Sequence, residues 1–199
     1  VDLAVGCTYK YLNGGPGSPA FLYVRKDLQE QLLSPIWGWF GQHIPFAFDL
    51  DYTPTSGIAR FLAGSPPILS IASLEAALDL PLQAGMQEVR RKSEALTAFG
   101  IELFDQVLAT CGFSLGTPRN PSERGSHISI QHPVAYRISQ SMIEEMKVIP
   151  DFREPDNIRL GFAPLYTSFE EVWRAIDRIR GIVENGLYLN YSSERKMVT

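Results

Sequence analysis

Tyr9-Lys10-Tyr11-Leu12-Asn13-Gly14-Gly15-Pro16-Gly17-Ser18-Pro19 is the stretch on which the reading of this chain turns. It is flanked by two apolar runs, residues 1–6 and 20–25, which read as short buried strands. Three glycines and two prolines within its last six residues forbid regular structure and specify a sharp, rigid loop. Lys10 therefore stands at a strand end, fixed in place, with backbone neighbours that leave space around it. Schiff-base chemistry needs that arrangement, an amine held against a carbonyl cofactor. Most lysines beside glycine-rich loops are solvated surface residues, so the loop alone does not assign one.

Outward from this segment, Lys26 to Leu33 reads as a short helix stopped by Pro35. Residues 34–66 are irregular and aromatic, with Trp37, Trp39, Phe40, Phe46, Phe48, Tyr52 and Phe61 interrupted by Gly and Pro. A loop of that length inside a compact domain is usually functional or ordered by a partner. Pro67 to Leu80 reads as a helix buried on most sides, and a longer helix runs from about Leu82 to Cys111, ended by Gly112.

The remainder alternates strand and helix signals. Residues 126–131 alternate polar and apolar side chains as a half-covered strand does. Val134 to Met146 reads as a helix, Lys147 to Ile149 and Asn157 to Phe162 as strands. Ser168-Phe169-Glu170-Glu171 has the form of a capping box opening a last helix, with Phe169, Val172, Trp173, Ile176, Ile179 and Val183 on one stripe. The expected division is an α/β piece of a larger layer over residues 1–82 and a small α/β domain over 83–199, with a polar, frayed end from Ser192 to Thr199.

Composition narrows the function classes. The chain has 199 residues, 45% hydrophobic and 20% charged, which permits a substantial core and argues against disorder. A net charge of −4 without a basic face gives no support to a nucleic-acid partner or an anionic membrane surface. No apolar run reaches the ~20 residues of a membrane helix. Cys7 and Cys111 are too few for a disulfide framework and lack zinc spacing; reduced thiols of a cytoplasmic protein are the expectation. The first six residues read as a strand already under way, so the chain is expected to begin inside a larger protein.

The string Gly6-Cys7-Thr8-Tyr9-Lys10-Tyr11-Leu12-Asn13-Gly14-Gly15-Pro16-Gly17 closely resembles the cofactor-lysine segment of kynureninases, pyridoxal-phosphate (PLP) enzymes of fold type I. Three further matches follow in the order that family has them. They are Gly38-Trp39-Phe40-Gly41, then Arg60-Phe61-Leu62-Ala63-Gly64-Ser65-Pro66-Pro67-Ile68-Leu69, then Ile158-Arg159-Leu160 ahead of Pro164-Leu165-Tyr166. Four ordered motifs over nearly the whole chain are far more specific than any one of them.

The resemblance implies the C-terminal portion of a PLP-dependent transferase-like large domain followed by a small α/β C-terminal domain. It implies hydrolytic cleavage of the Cβ–Cγ bond of L-kynurenine or 3-hydroxykynurenine, in a homodimer. Lys10 would hold PLP and act as general base, and Tyr9 would serve phosphate binding and proton donation. Trp39 would donate its indole N–H to the cofactor phosphate and, with Phe40, wall the aryl pocket. Ser65, where the family has Thr or Asn, would touch cofactor or substrate; an N-cap for the following helix is an equal reading. Arg159 would grip the substrate carboxylate in a bidentate fork, against the alternative of a structural partner for an acid. His43, His127 and His132 are read as a loop histidine and ordinary structural ones. The family's remaining cofactor ligands precede the lysine strand, so the 199 residues alone are expected not to turn over. Two other readings stay open: another fold type I lyase of the cysteine desulfurase kind, which would need a mobile reactive cysteine, and a non-catalytic dimerisation or binding fragment.

Overall fold

The computed structural model describes residues 1–194; the expectation for the polar end falls, from residue 195 on, outside the described residues. The chain divides into two compact units, Val1–Gln83 and Ala84–Thr199.

In the first unit, β1 (Leu3–Cys7) and β2 (Ala20–Val24) pair antiparallel, with Leu3 opposite Val24 and Cys7 opposite Ala20. A one-turn helix α1 (Lys26–Gln29) follows, shorter than its sequence pattern. Single turns at Trp39–Gly41, Pro45–Ala47 and Gly57–Phe61 then lead to α2 (Ile68–Ala84). The expectation of buried elements is corrected here. Val24 is buried, but Val5 is 79% exposed, and Leu3, Phe21, Leu22 and Tyr23 are exposed as well. Likewise α2 forms, yet Pro81 is its single buried residue, and Ile68, Leu69, Leu80 and Leu82 face outward. Strands and helices that are apolar on every side are stable where layers cover each side. The described residues of this unit leave those sides open.

The second helical run starts later than its pattern. Gly85, at φ 76°, interrupts the helix in a backbone conformation that glycine adopts without cost, and α3 runs from Met86 to Leu103. A π turn over Phe104–Leu108 and a 3-10 turn over Ala109–Cys111 extend it to Gly112, whose φ of 83° ends it. Small residues Ser93, Thr97 and Gly100 are buried on its inner face. At Gly100 a Cβ would stand 2.8 Å from the Phe162 ring, so this helix packs closer than a larger side chain permits.

The second unit is built on a four-stranded antiparallel sheet in the order β3-β4-β6-β5. Its strands are β3 (Ser114–Leu115), β4 (His127–Gln131), β5 (Asp151–Arg153) and β6 (Asn157–Gly161). The strand expected at Lys147 to Ile149 is absent; Lys147 has a φ of 54°, and β5 begins four residues later. Helix α4 (Ala135–Glu144) packs on β5 and β6, and α5 (Phe169–Glu184) packs on α3 and α4. Alternation sorts the strands by face. Ile128, Ile130, Ile158 and Leu160 join Leu96, Leu108, Ile138, Met142, Val172, Ile176, Ile179 and Ile182 in one core, while Ser129, Gln131, Asn157 and Arg159 take the alternate positions. The stripe on α5 is shifted from its pattern: Ile182 is fully buried, whereas Trp173 is half-exposed. The capping box is formed as its sequence requires, Ser168 Oγ accepting from Glu171 N and Glu171 accepting from Ser168 N.

Candidate active site

Lys10 follows β1 in a loop whose shape is fixed by its own backbone. Asn13 N donates to Lys10 O and Gly14 N to Thr8 O, each at 3.0 Å, and the buried Thr8 hydroxyl donates to Pro19 O. Asn13, Gly15 and Gly17 all have left-handed backbone. A Cβ on Gly14 would stand 2.8 Å from Ser18 Oγ, so the loop closes only around a glycine. The result presents Lys10 and Tyr9 side by side, with the Lys10 Nζ 5.1 Å from the centre of the Tyr9 ring. Both side chains are exposed.

The second cluster of the same unit joins two segments that are about twenty residues apart. At Gly38 a Cβ would stand 1.6 Å from Ala63 O, and at Gly41 one would stand 2.8 Å from Leu62 O. The two glycines thus lay the turn carrying Trp39 and Phe40 directly on the backbone of residues 60–63. Arg60, buried at 8% exposure, ties that backbone to α1 through Gln29 O at 2.5 Å and Glu30 at 3.3 Å. Tyr52 donates to Gly41 O at 3.1 Å, and Thr55 N donates to the same oxygen at 2.8 Å.

This framework opens a cleft of about 670 Å³ whose aromatic lining is Trp37, Trp39, Phe46, Phe48 and Tyr52, with Gln42 and Asp49 as polar members. Trp37 and Tyr52 stack at 4.9 Å and 9°, and Trp39 meets Phe46 at 5.6 Å. Phe40 contacts Trp39 edge-on at 4.9 Å and does not itself line the cleft. The aromatic run 37–52 was visible in the sequence, but its assembly around one opening depends on the Gly–backbone contacts just described. Ser65 is exposed ahead of α2. That helix begins at Ile68, with Ile71 N donating to Pro67 O, so Pro67 rather than Ser65 occupies its N-cap.

In the second unit Arg159 lies on β6 with its side chain 38% exposed and its Nη2 donating to Asp151 Oδ2. Arg153 Nε reaches the same oxygen at 3.2 Å. Burial raises the Asp151 carboxyl pKa, but the hydrogen bond and charge of Arg159, followed by Arg153, outweigh it and hold the group below its ordinary value. Beside this trio, Ser129 Oγ donates to Asn157 Oδ1 at 3.0 Å, and Asn157 donates to Asp156 at 2.8 Å. Asp151 was not singled out in the sequence; its signal is the spacing that sets β5 opposite β6. His43 and His127 are exposed, and His132 is half-buried on Phe113, its pKa lowered by burial. Among the described residues no helix is long and apolar enough to cross a membrane.

The donor set suits PLP. A primary amine at Lys10 matches a carbonyl, and a phenol O–H and an indole N–H from exposed Tyr9 and Trp39 match a phosphate dianion. The fold is the mixed α/β fold of the C-terminal part of PLP-dependent, aminotransferase-like enzymes. A cysteine desulfurase from Thermococcus onnurineus NA1 superimposes with a TM-score of 0.75 at 19% identity, over 93% of this chain and 48% of that one. The cystine C–S lyase C-DES superimposes with a TM-score of 0.71 at 20% identity, over 90% of this chain and 46% of that one. These likenesses establish the fold alone.

Residues 89–179 match the family model described as the kynureninase C-terminal domain. Over 183 residues the chain is 48% identical to the kynureninase of Pseudomonas fluorescens and 47% identical to that of Burkholderia mallei strain SAVP1. Each alignment spans 92% of this chain and 44% of the relative, so the chain covers less than half the length of the kynureninases it matches.

Proposed function

We propose that these residues form the C-terminal part of a kynureninase, a PLP-dependent hydrolase that cleaves the Cβ–Cγ bond of an L-kynurenine-type amino acid. The observation that carries this reading is the close packing of one family motif, 38–41, on the backbone of another, 60–63, which sets Trp39 in the lining of an aromatic cleft. The products are L-alanine and an anthranilate, the hydroxyl of water ending on the aryl carbonyl carbon and a proton on Cβ. Lys10, Tyr9, Trp39 and Ser65 serve the cofactor, and Arg159, Trp39 and Ser65 serve the substrate, with Phe40 supporting Trp39 edge-on. Residues 1–82 are then the remainder of the cofactor-binding large domain and 83–199 the small domain. The enzyme works as a cytoplasmic homodimer in tryptophan catabolism, on the route toward NAD.

PLP, when bound, supplies an electron sink for carbanions at the substrate's Cα and Cβ. The Lys10 amine removes the Cα proton, and its fixed place at the end of β1 sets the approach. The Tyr9 hydroxyl, beside Lys10, returns a proton to Cβ as the bond to the aryl carbonyl breaks. The Trp39, Phe46 and Phe48 rings shield the aryl group from water, and the Arg159 guanidinium pairs with the α-carboxylate. Desulfurase chemistry has less support: the Cys111 thiol is half-buried in a helical turn, 3.4 Å from Val107 O, rather than carried on a mobile arm.

The test is borohydride reduction of a PLP-loaded, full-length protein carrying this sequence, followed by peptide mass mapping. A phosphopyridoxyl label on Lys10 is the expected result. A folded protein with no label on Lys10 would overturn the assignment and leave the segment as a scaffold.

A further inference from the structure

Arg159 stands on the face of the sheet opposite the core, where alternation leaves its guanidinium reachable from solvent. On the adjacent strand the residue directly opposite is Asp151, so both side chains leave the sheet on the same side, within contact of each other. We infer that Asp151 is a positioning residue: its carboxylate pins one Nη of Arg159 and turns the remaining N–H donors outward to a substrate carboxylate. This rests on the reading of Arg159 as the carboxylate ligand given above.

Three features carry the inference. A guanidinium has five N–H donors, and one hydrogen bond to Asp151 leaves a donor pair for a second carboxylate. The Asp151 oxygen that holds Arg159 also accepts from Arg153, so one negative charge is shared by two positive ones and the trio remains net cationic toward an incoming anion. The pair is also half-exposed, a setting in which an ion pair contributes little to stability. A role in holding the fold is therefore a poor explanation of it, and a role in orientation a better one. A long, rotamer-rich arginine held at one end before ligand arrives loses less freedom on binding.

The experiment is a double-mutant cycle in the PLP-loaded, full-length enzyme, with KM and kcat measured separately and urea unfolding as a check of the fold. Asp151→Asn is expected to raise KM for a kynurenine-type substrate on the order of tenfold, the coupling that touching residues reach, with kcat within about twofold. In an Arg159→Ala background the same change is expected to add nothing, since its effect runs through Arg159. Asp151→Glu is expected to recover part of the loss. If Arg159→Ala itself leaves KM unchanged, the reading of Arg159 is wrong. If Arg159→Ala raises KM while Asp151→Asn leaves it unchanged or lowers it, Arg159 is the ligand and the positioning role alone is overturned. An equal penalty from Asp151→Asn in both backgrounds also overturns it.

Discussion

Gly38 and Gly41 do more for the aromatic cleft than any ring in it, because they let one segment of backbone lie on another. Gly38→Ala forces a Cβ into Ala63 O and is expected to cost about 3 kcal/mol or more of stability. The stacked Trp37–Tyr52 pair should lose its near-ultraviolet dichroism with it. Gly64→Ala is the control: its Cβ meets nothing within 4 Å, and both stability and dichroism should stay unchanged. At this scale the sequence offered candidates where a motif could be matched as a string. Lys10, Tyr9, Trp39 and Arg159 were picked out by the resemblance of the motifs that hold them more than by residue type alone. Asp151 was not, because an aspartate in a charged turn looks like any solvated one until strand pairing sets it against Arg159.

Among the elements, the start of α5 was the most legible, since its capping box is local. Ser168→Ala should cost ~1 kcal/mol in urea unfolding by leaving Glu171 N without its acceptor. The Glu171 carboxyl is held below its ordinary pKa, first by Ser168 N and then by the Ser168 hydroxyl. A depressed folded-state pKa means that its contribution is complete above the ordinary carboxylate value and is lost as pH falls through the folded one. Glu171→Gln should therefore lower stability at neutral pH and flatten the acid limb, the two profiles converging at low pH; an acid limb identical to wild type would refute the linkage. The breaks in the helical run were less legible. Gly85 reads as one more helix glycine until its positive φ is seen, and the buried face of α3 includes Ser93, Thr97 and Gly100 beside Leu96, Ile101 and Leu103, small members that no hydrophobic periodicity reports.

At the scale of the molecule, every residue of the large buried core lies between Leu96 and Ile182, in the second unit. The first unit keeps Val24, Thr8 and Arg60 buried and turns most of its large apolar side chains outward. That asymmetry escaped the sequence, where residues 1–25 and 67–80 have the apolar content of buried elements; burial is a property of neighbours, and apolar patterning states the need for them without supplying them. Backbone amides of β4, β6 and α5 are expected to exchange slowest with solvent and those of β1, β2 and α2 fastest. Limited proteolysis should leave 84–199 as the resistant product, and a resistant 1–83 fragment would contradict the packing. A body whose core closes on itself is also a convenient object for spectroscopy. Prepared alone, 84–199 is small enough for resolved nuclear resonance spectra, so the Arg159 Nε–H chemical shift can be followed while simple carboxylates are titrated in. Molecular recognition then becomes observable one guanidinium at a time, without cofactor, catalysis or assay.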